Sequence, residues 1–360
     1  MSEPPPTAAP RLGYVPQLDG LRALAVGAVL ITHFLPETEL ARRVDWGVLG
    51  VRLFFVLSGF LITRILLDAR SQRDQGALSL GQALRTFYLR RVLRIFPIYY
   101  LTVAVMSLAS PTIRAQAWVF LLYLQNLLFA WEGSYGVAPH FWTLAVEEQF
   151  YLLWPAAVLL LPRRALVGCV LALIAAAPAW RLGVLLLGGA EVTARVFTLG
   201  CTDTLGLGAL LALAGAGRWL RPLGVAGALA LIPLLLCHAL RWGDPAWIVL
   251  GDLALGAVGV AWVARLVRGG TGLDQRLLAS RPLVYLGRIS YGIYVYHFFV
   301  PRQLARVFAK LDWSVGPLTL AALSAVASIA LASASWVLLE RPLARLKRRL
   351  PYREEPQPTT

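Results

Sequence analysis

Ten stretches of about twenty mostly apolar residues recur along the 360-residue chain, near 19–35, 46–68, 86–109, 140–161, 165–187, 196–215, 222–240, 246–266, 283–305 and 315–339. At a rise of about 1.5 Å per residue, a helix of that length crosses the ~30 Å hydrocarbon core of a bilayer. Composition agrees: 58% of the residues are hydrophobic and 15% charged, against roughly a half and a quarter in soluble domains. The sequence therefore predicts an all-α fold, a polytopic integral membrane bundle of about ten transmembrane helices.

The basic residues orient that bundle. The net charge of +15 comes almost wholly from Arg placed between apolar runs, which marks cytoplasmic loops and argues against a nucleic-acid partner. Arg70, Arg73, Arg85, Arg90, Arg91 and Arg94 assign 69–94 to the cytoplasm. Arg163 with Arg164, Arg218 with Arg221, the segment from Arg265 to Arg281, and the tail from Arg341 to Arg349 follow. All agree only if an eleventh, shorter run at 115–131 does not fully cross and is one re-entrant or lateral helix. The chain then divides into a flexible tail (1–13), a membrane domain (14–342) and a basic tail (343–360), with both tails cytoplasmic. The Pro-rich start lacks the basic and apolar regions of a cleavable signal peptide, so the first helix reads as a retained anchor. Cys169, Cys201 and Cys237 sit in or beside apolar runs at no metal-ligand spacing and read as buried thiols. No repeat suggests a transporter built from two halves.

Ionisable residues inside such helices cost about 2.5–3.5 kcal/mol each at the bilayer centre, which makes them functional candidates. Asp19, Arg22 and His33 lie in the first run, with Arg22 and His33 eleven residues apart. That is close to three full turns, so both share a face about 16 Å apart. Snorkelling of Asp19 and Arg22 to the inner headgroups is the plainer account. Arg91 and Arg94 share a face beside Arg90; they suit a topology signal and equally a bidentate clamp for a soluble polyphosphate. Glu147, Glu148 and Gln149 fall inside the fourth run. Glu147 is expected at the depth of His33, where a carboxylate can orient an imidazole; an ion pair with Arg22 or Arg52 is the alternative. Asp203 and His297, at similar depth, read as supporting polar residues. Ser58-Gly59 permits close approach of a helix or of a slender ligand.

Together these blocks resemble membrane acyltransferase family 3, the O-acyltransferases of bacterial surface sugars and some secondary metabolites. The resemblance covers about 14–342. It rests on Leu18-Asp19-Gly20-Leu21-Arg22 leading to His33, Phe54-Phe55-Val56-Leu57-Ser58-Gly59-Phe60, and Arg91 to Arg94 with Pro97 and Tyr99. Thr143-Leu144 through Glu147 to Phe150-Tyr151 follows, with Thr143 where the family usually has Ser. Ile289-Ser290-Tyr291-Gly292-Ile293-Tyr294 with His297, and Glu340-Arg341-Pro342, complete the set.

The resemblance implies ten helices in a bacterial cytoplasmic membrane, an acyl-CoA co-substrate (acetyl-CoA foremost) taken from the cytoplasm, and a carbohydrate or glycosylated acceptor met outside. It implies no permanently bound cofactor, and no metal site is expected. Many relatives carry an appended SGNH-type domain; none is expected here. On this reading Arg91 and Arg94, with Arg90 nearby, hold the CoA phosphates, Arg22 binds acyl-CoA further up the path, and the pantetheine arm passes Ser58 and Gly59. His33 is the general base and Glu147 orients it. An acyl-enzyme through His33 stays open, and a transporter or flippase of a lipid-linked sugar is the rival class.

Overall fold

Helix-forming runs and their punctuation set the architecture of the computed structural model, which describes residues 13–35, 38, 43–239 and 244–346. Helix α1 (Pro16–Phe34) opens with a proline at a position whose N–H has no intrahelical partner anyway. Helix α2 (Trp46–Asp74) has 29 residues, about 44 Å, and overshoots the bilayer core. Helix α3 (Leu80–Ala109) starts at a capping box, in which Ser79 Oγ accepts from the Gln82 amide (3.1 Å) and Gln82 Oε1 from the Ser79 amide (2.8 Å).

The run expected as one lateral helix at 115–131 is instead split between α5 (Ala117–Leu121) and α6 (Gln125–Glu132), after a short α4 (Pro111–Ala115) that meets it only at Ala115. Tyr123, at φ 53°, turns the chain between α5 and α6. None of the three is long enough to span.

Helices α7 (Trp142–Leu160), α8 (Arg163–Leu186), the short α9 (Glu191–Val196), α10 (Thr202–Ala214), α11 (Leu220–Ala239) and α12 (Asp244–Arg268) follow. The run expected as one helix near 283–305 is broken. After α13 (Leu273–Leu278) come α14 (Arg281–Arg288), α15 (Ser290–Tyr296), a 3₁₀ turn at His297–Phe299 and α16 (Val300–Lys310). The second break has a local cause, since Pro301 lacks an N–H and starts a new helix rather than continuing one. Helix α17 (Pro317–Ser335) runs on through a π turn (Trp336–Glu340) into α18 (Arg341–Leu346).

Among the described residues the structure is helical without strands, and five helices are long and apolar enough to cross a membrane: Trp46–Asp74, Leu80–Ala109, Arg163–Leu186, Trp247–Arg268 and Pro317–Leu346. The chain is an integral membrane protein. The other five expected crossings are shorter, broken, or carry polar residues, as α1 and α7 do. The expected tails fall largely on 1–12 and 347–360, outside the described residues.

Helix α2 is the hub, packed against α1, α7, α10 and α12. Its crossing with α10 depends on absent side chains: a Cβ on Gly59 would fall 2.0 Å from Leu205 O, and one on Gly208 2.2 Å from Val56 O. The same corner buries charge. Arg52 pairs with Asp252 at 2.6 Å, Arg181 with Asp252 at 2.9 Å and with Asp203 at 2.5 Å. Two cations and two anions thus satisfy one another away from water. Asp203 is therefore tied into a structural network, and Arg52 answers to Asp252 rather than to Glu147. Cys201, buried in this corner, accepts from Arg52 (3.2 Å). Cys169 is half-buried rather than buried, and the Cys237 side chain lies outside the described residues.

Candidate active site

Helices α1, α2, α3, α7 and α15 enclose a cavity of about 350 Å³, within the range of small-molecule sites. Their polar residues face it: Asp19 and Arg22 from α1, Ser58 and Arg64 from α2, Arg91 and Arg94 from α3, Thr143, Glu147, Glu148 and Tyr151 from α7, and Tyr291 and Tyr294 from α15. This is why α1 and α7 can carry charge and still lie in an apolar bundle. A second cavity, about 470 Å³, shares Tyr14, Asp19, Arg22, Arg94 and Tyr291 with the first and adds Arg288, Trp336 and Glu340. Arg22 and Arg94 stand where the two meet.

At that junction Asp19 Oδ1 accepts from Arg22 (2.8 Å), Asp19 Oδ2 accepts from the Tyr14 hydroxyl (2.7 Å), and Arg288 lies 3.9 Å away. Asp19 fixes the Arg22 guanidinium without consuming all its donors. Burial raises the pKa of the Tyr14 phenol, which stays a neutral donor. Arg91 lies over the rings of Phe87 (5.8 Å) and Tyr151 (5.3 Å). Arg90 does not line the cavity, because adjacent helical residues point about 100° apart.

Farther along, Ser58 Oγ donates to Glu147 Oε1 in a short hydrogen bond and accepts from Tyr151 (3.0 Å). Glu147 is thus held by α2, not by His33, which corrects the expected carboxylate–imidazole pair. The depth differs as well: His140, beside His297, precedes Glu147 by seven residues, about two helical turns, so Glu147 lies inward of the imidazole pair. Ser58 and Gly59 also part company, with Ser58 on the cavity and Gly59 against α10. Gln149 turns away to clamp the 111–132 segment, donating to Tyr123 O and Asn126 Oδ1, each at 2.9 Å.

The partner of His33 is His297. Their rings lie 4.9 Å apart, with His297 Nε2 3.2 Å from His33 Nδ1. His33 is half-buried and His297 fully buried. His33 does not line the cavity. The wall residue Tyr294 packs on His297 at 5.5 Å, and His297 on His33, so the cavity stops one ring layer short of the pair. His140, which the sequence reading passed over, backs His297 at 5.1 Å and carries a buried Nδ1 with no hydrogen-bond partner. Its place just before the Phe141-Trp142-Thr143 block was the available signal. Tyr294 was legible only as part of a motif; its hydroxyl meets Thr143 Oγ1 (2.6 Å) and His140 O (2.8 Å). Among the described residues no group of three or more His, Cys, Asp or Glu side chains is placed to hold a metal ion.

A sequence profile described as an acyltransferase domain matches residues 15–337, nearly the whole chain. The chain belongs to membrane acyltransferase family 3. Within reach of this family member is the peptidoglycan O-acetyltransferase OatA of Listeria monocytogenes, 30% identical over 323 residues, which cover 79% of this chain and 49% of that protein. YrhL of Bacillus subtilis, provisionally named a peptidoglycan O-acetyltransferase, is 29% identical over 370 residues, 92% of this chain and 55% of its own. A Staphylococcus aureus protein provisionally named an O-acetyltransferase is 25% identical over 327 residues, 81% and 51% of the respective chains. The chain spans about half the length of these curated relatives. No solved structure matches it significantly.

Proposed function

We propose that this acyltransferase moves a short acyl group, acetyl foremost, from cytoplasmic acyl-CoA to a hydroxyl of a carbohydrate or glycosylated acceptor on the outer side. The reading takes ten crossings with both termini inside, supported by the placement of Arg between the apolar runs and by the division of 111–132 into pieces too short to span.

The observation that carries it is the order of chemistry along one path. Cations gather where the two cavities meet, hydroxyls and a carboxylate line the middle, and an imidazole pair stands behind the wall. Arg22, Arg91 and Arg94 suit the CoA phosphates through charge-assisted bonds. Glu147, by holding the Ser58 and Tyr151 hydroxyls, would line the route of the pantetheine arm, whose amides they can meet.

His33 would take the proton from the acceptor hydroxyl as its oxygen attacks the thioester carbonyl. The new C–O bond forms, the C–S bond breaks, and the departing CoA thiolate can recover the proton from His33. The half-buried imidazole and the apolar walls of Phe54, Phe55 and Ile62 would limit hydrolysis of the thioester. Tyr294, the wall residue packed on His297, would have to turn for donor and base to meet.

The test is acyl transfer by the purified chain from isotopically labelled acetyl-CoA to muropeptide or oligosaccharide acceptors. Labelled ester with the wild type, and its loss of about 100-fold or more in folded His33→Ala, is expected. Undiminished transfer by that variant would overturn the assignment of the base.

A further inference from the structure

The hydrogen bonds around His297 determine which nitrogen of each imidazole carries a proton. His297 Nδ1 lies 2.7 Å from Tyr294 O. A carbonyl only accepts, so this nitrogen carries the hydrogen, and in the neutral ring Nε2 is left with a lone pair. That lone pair faces His33 Nδ1 at 3.2 Å, so His33 Nδ1 is the donor. The second neighbour of His33 Nδ1 agrees, since Val29 O, at 3.0 Å, can also only accept. Both contacts put the proton of His33 on Nδ1 and leave Nε2 as the basic nitrogen.

Val29 O could favour that tautomer alone, but it sits one turn back on the same helix and already receives the backbone N–H there. It ties the ring only to its own helix and shares the one Nδ1–H with His297. His297 ties it to a different element, is 0% exposed, and is backed by His140, whose Nε2 lies 3.3 Å from Val295 O. The edge of Phe298, 5.6 Å from the His33 ring, closes the other side.

We propose that His297 is the positioning residue of the proton transfer, holding His33 in the tautomer whose Nε2 accepts the acceptor's proton; this rests on the reading of His33 as the base. When Nε2 takes up that proton, the imidazolium keeps its Nδ1–H on neutral His297, which stabilises the charge where water is scarce. Glu147 then needs no contact with the base, in keeping with its bond to Ser58.

The experiment compares His297→Phe and His297→Gln in the purified full chain. The amide oxygen of Gln can take the place of Nε2 and accept from His33, whereas Phe cannot. For His297→Phe, kcat should fall about 100-fold with KM for acetyl-CoA within about twofold, and His297→Gln should recover to within about tenfold of wild type. If His297→Phe does not fold, His297→Asn replaces it, since its shorter amide reaches Tyr294 O but not His33. Nitrogen-15 NMR of histidine-labelled protein, with His33 assigned by substitution, should give an unprotonated Nε2 in wild type and mixed tautomers without the acceptor. Wild-type kcat in His297→Phe, or equal loss in the Gln variant with the His33 tautomer unchanged, would overturn the proposal. Full activity of His33→Ala would instead overturn the underlying reading, so the two failures are distinguishable.

Discussion

Arg22 illustrates how a membrane protein keeps a charge at working depth. Asp19 takes one of its donors at 2.8 Å, and Arg22 still lines both cavities together with Arg94. Replacing Arg22 or Arg91 by Ala should raise KM for acetyl-CoA about 10- to 100-fold, the usual worth of hydrogen bonds to charged groups, with kcat less affected; initial rates across donor concentrations check this. Glu147→Gln keeps an acceptor for Ser58 and should retain more activity than Glu147→Leu. If Glu147 oriented His33 directly, both would fall alike. The sequence reading sets Glu147 at the depth of His33, but its partner Ser58 lies eleven residues along α2 from Gly47, which meets Thr32 beside His33, so the level differs. Neither depth nor neighbour could be read, because both depend on how α7 packs against α2, set far along the chain at contacts such as Gln149 with Asn126. His297, by contrast, was visible as a polar residue in an apolar run, yet nothing local joined it to His33, 264 positions away.

Helix α2 joins site and scaffold through two consecutive residues. Ser58 serves the cavity, and Gly59 lets α10 approach until backbone meets backbone. Gly59→Val should cost about 1–3 kcal/mol or more by overpacking, seen as a lower Tm in detergent, whereas Ser58→Ala should keep its Tm and lose activity. The long apolar helices were legible because length and hydropathy are local properties, and all five membrane-capable helices fall on expected runs. The broken helices were not. Apolar residues continue through Ile289 into α15, so periodicity gives no warning of the first break, after which Tyr291 and Tyr294 reach the cavity wall; only the second is marked, by Pro301. The pieces at 111–132 make a topological prediction. Single cysteines at Thr112 and Ser134 should both react with an impermeant maleimide from the outer side of oriented vesicles. Reaction from opposite sides would mean that this segment crosses.

Across the whole molecule, buried charge is divided between two places with different purposes. In the corner of α2, α8, α10 and α12, Arg52 and Arg181 meet Asp203 and Asp252 and are closed to solvent. Along the cavity, comparable charges stay accessible. Asp252→Asn leaves two buried cations sharing one carboxylate and should destabilise the fold by about 3–5 kcal/mol, measured by denaturant or thermal unfolding in detergent, irrespective of substrate. The same molecule presents its cations at one end of a path and its imidazoles beyond the other, and the central claim is that acyl groups travel that way. Proteoliposomes with acetyl-CoA confined to the face carrying Arg91 and Arg94, and a carbohydrate acceptor confined to the opposite face, test it most directly. The account predicts labelled ester on the acceptor with wild-type protein and none above background with His33→Ala; equal ester formation by the two, or none by wild type in this arrangement alone, would contradict it.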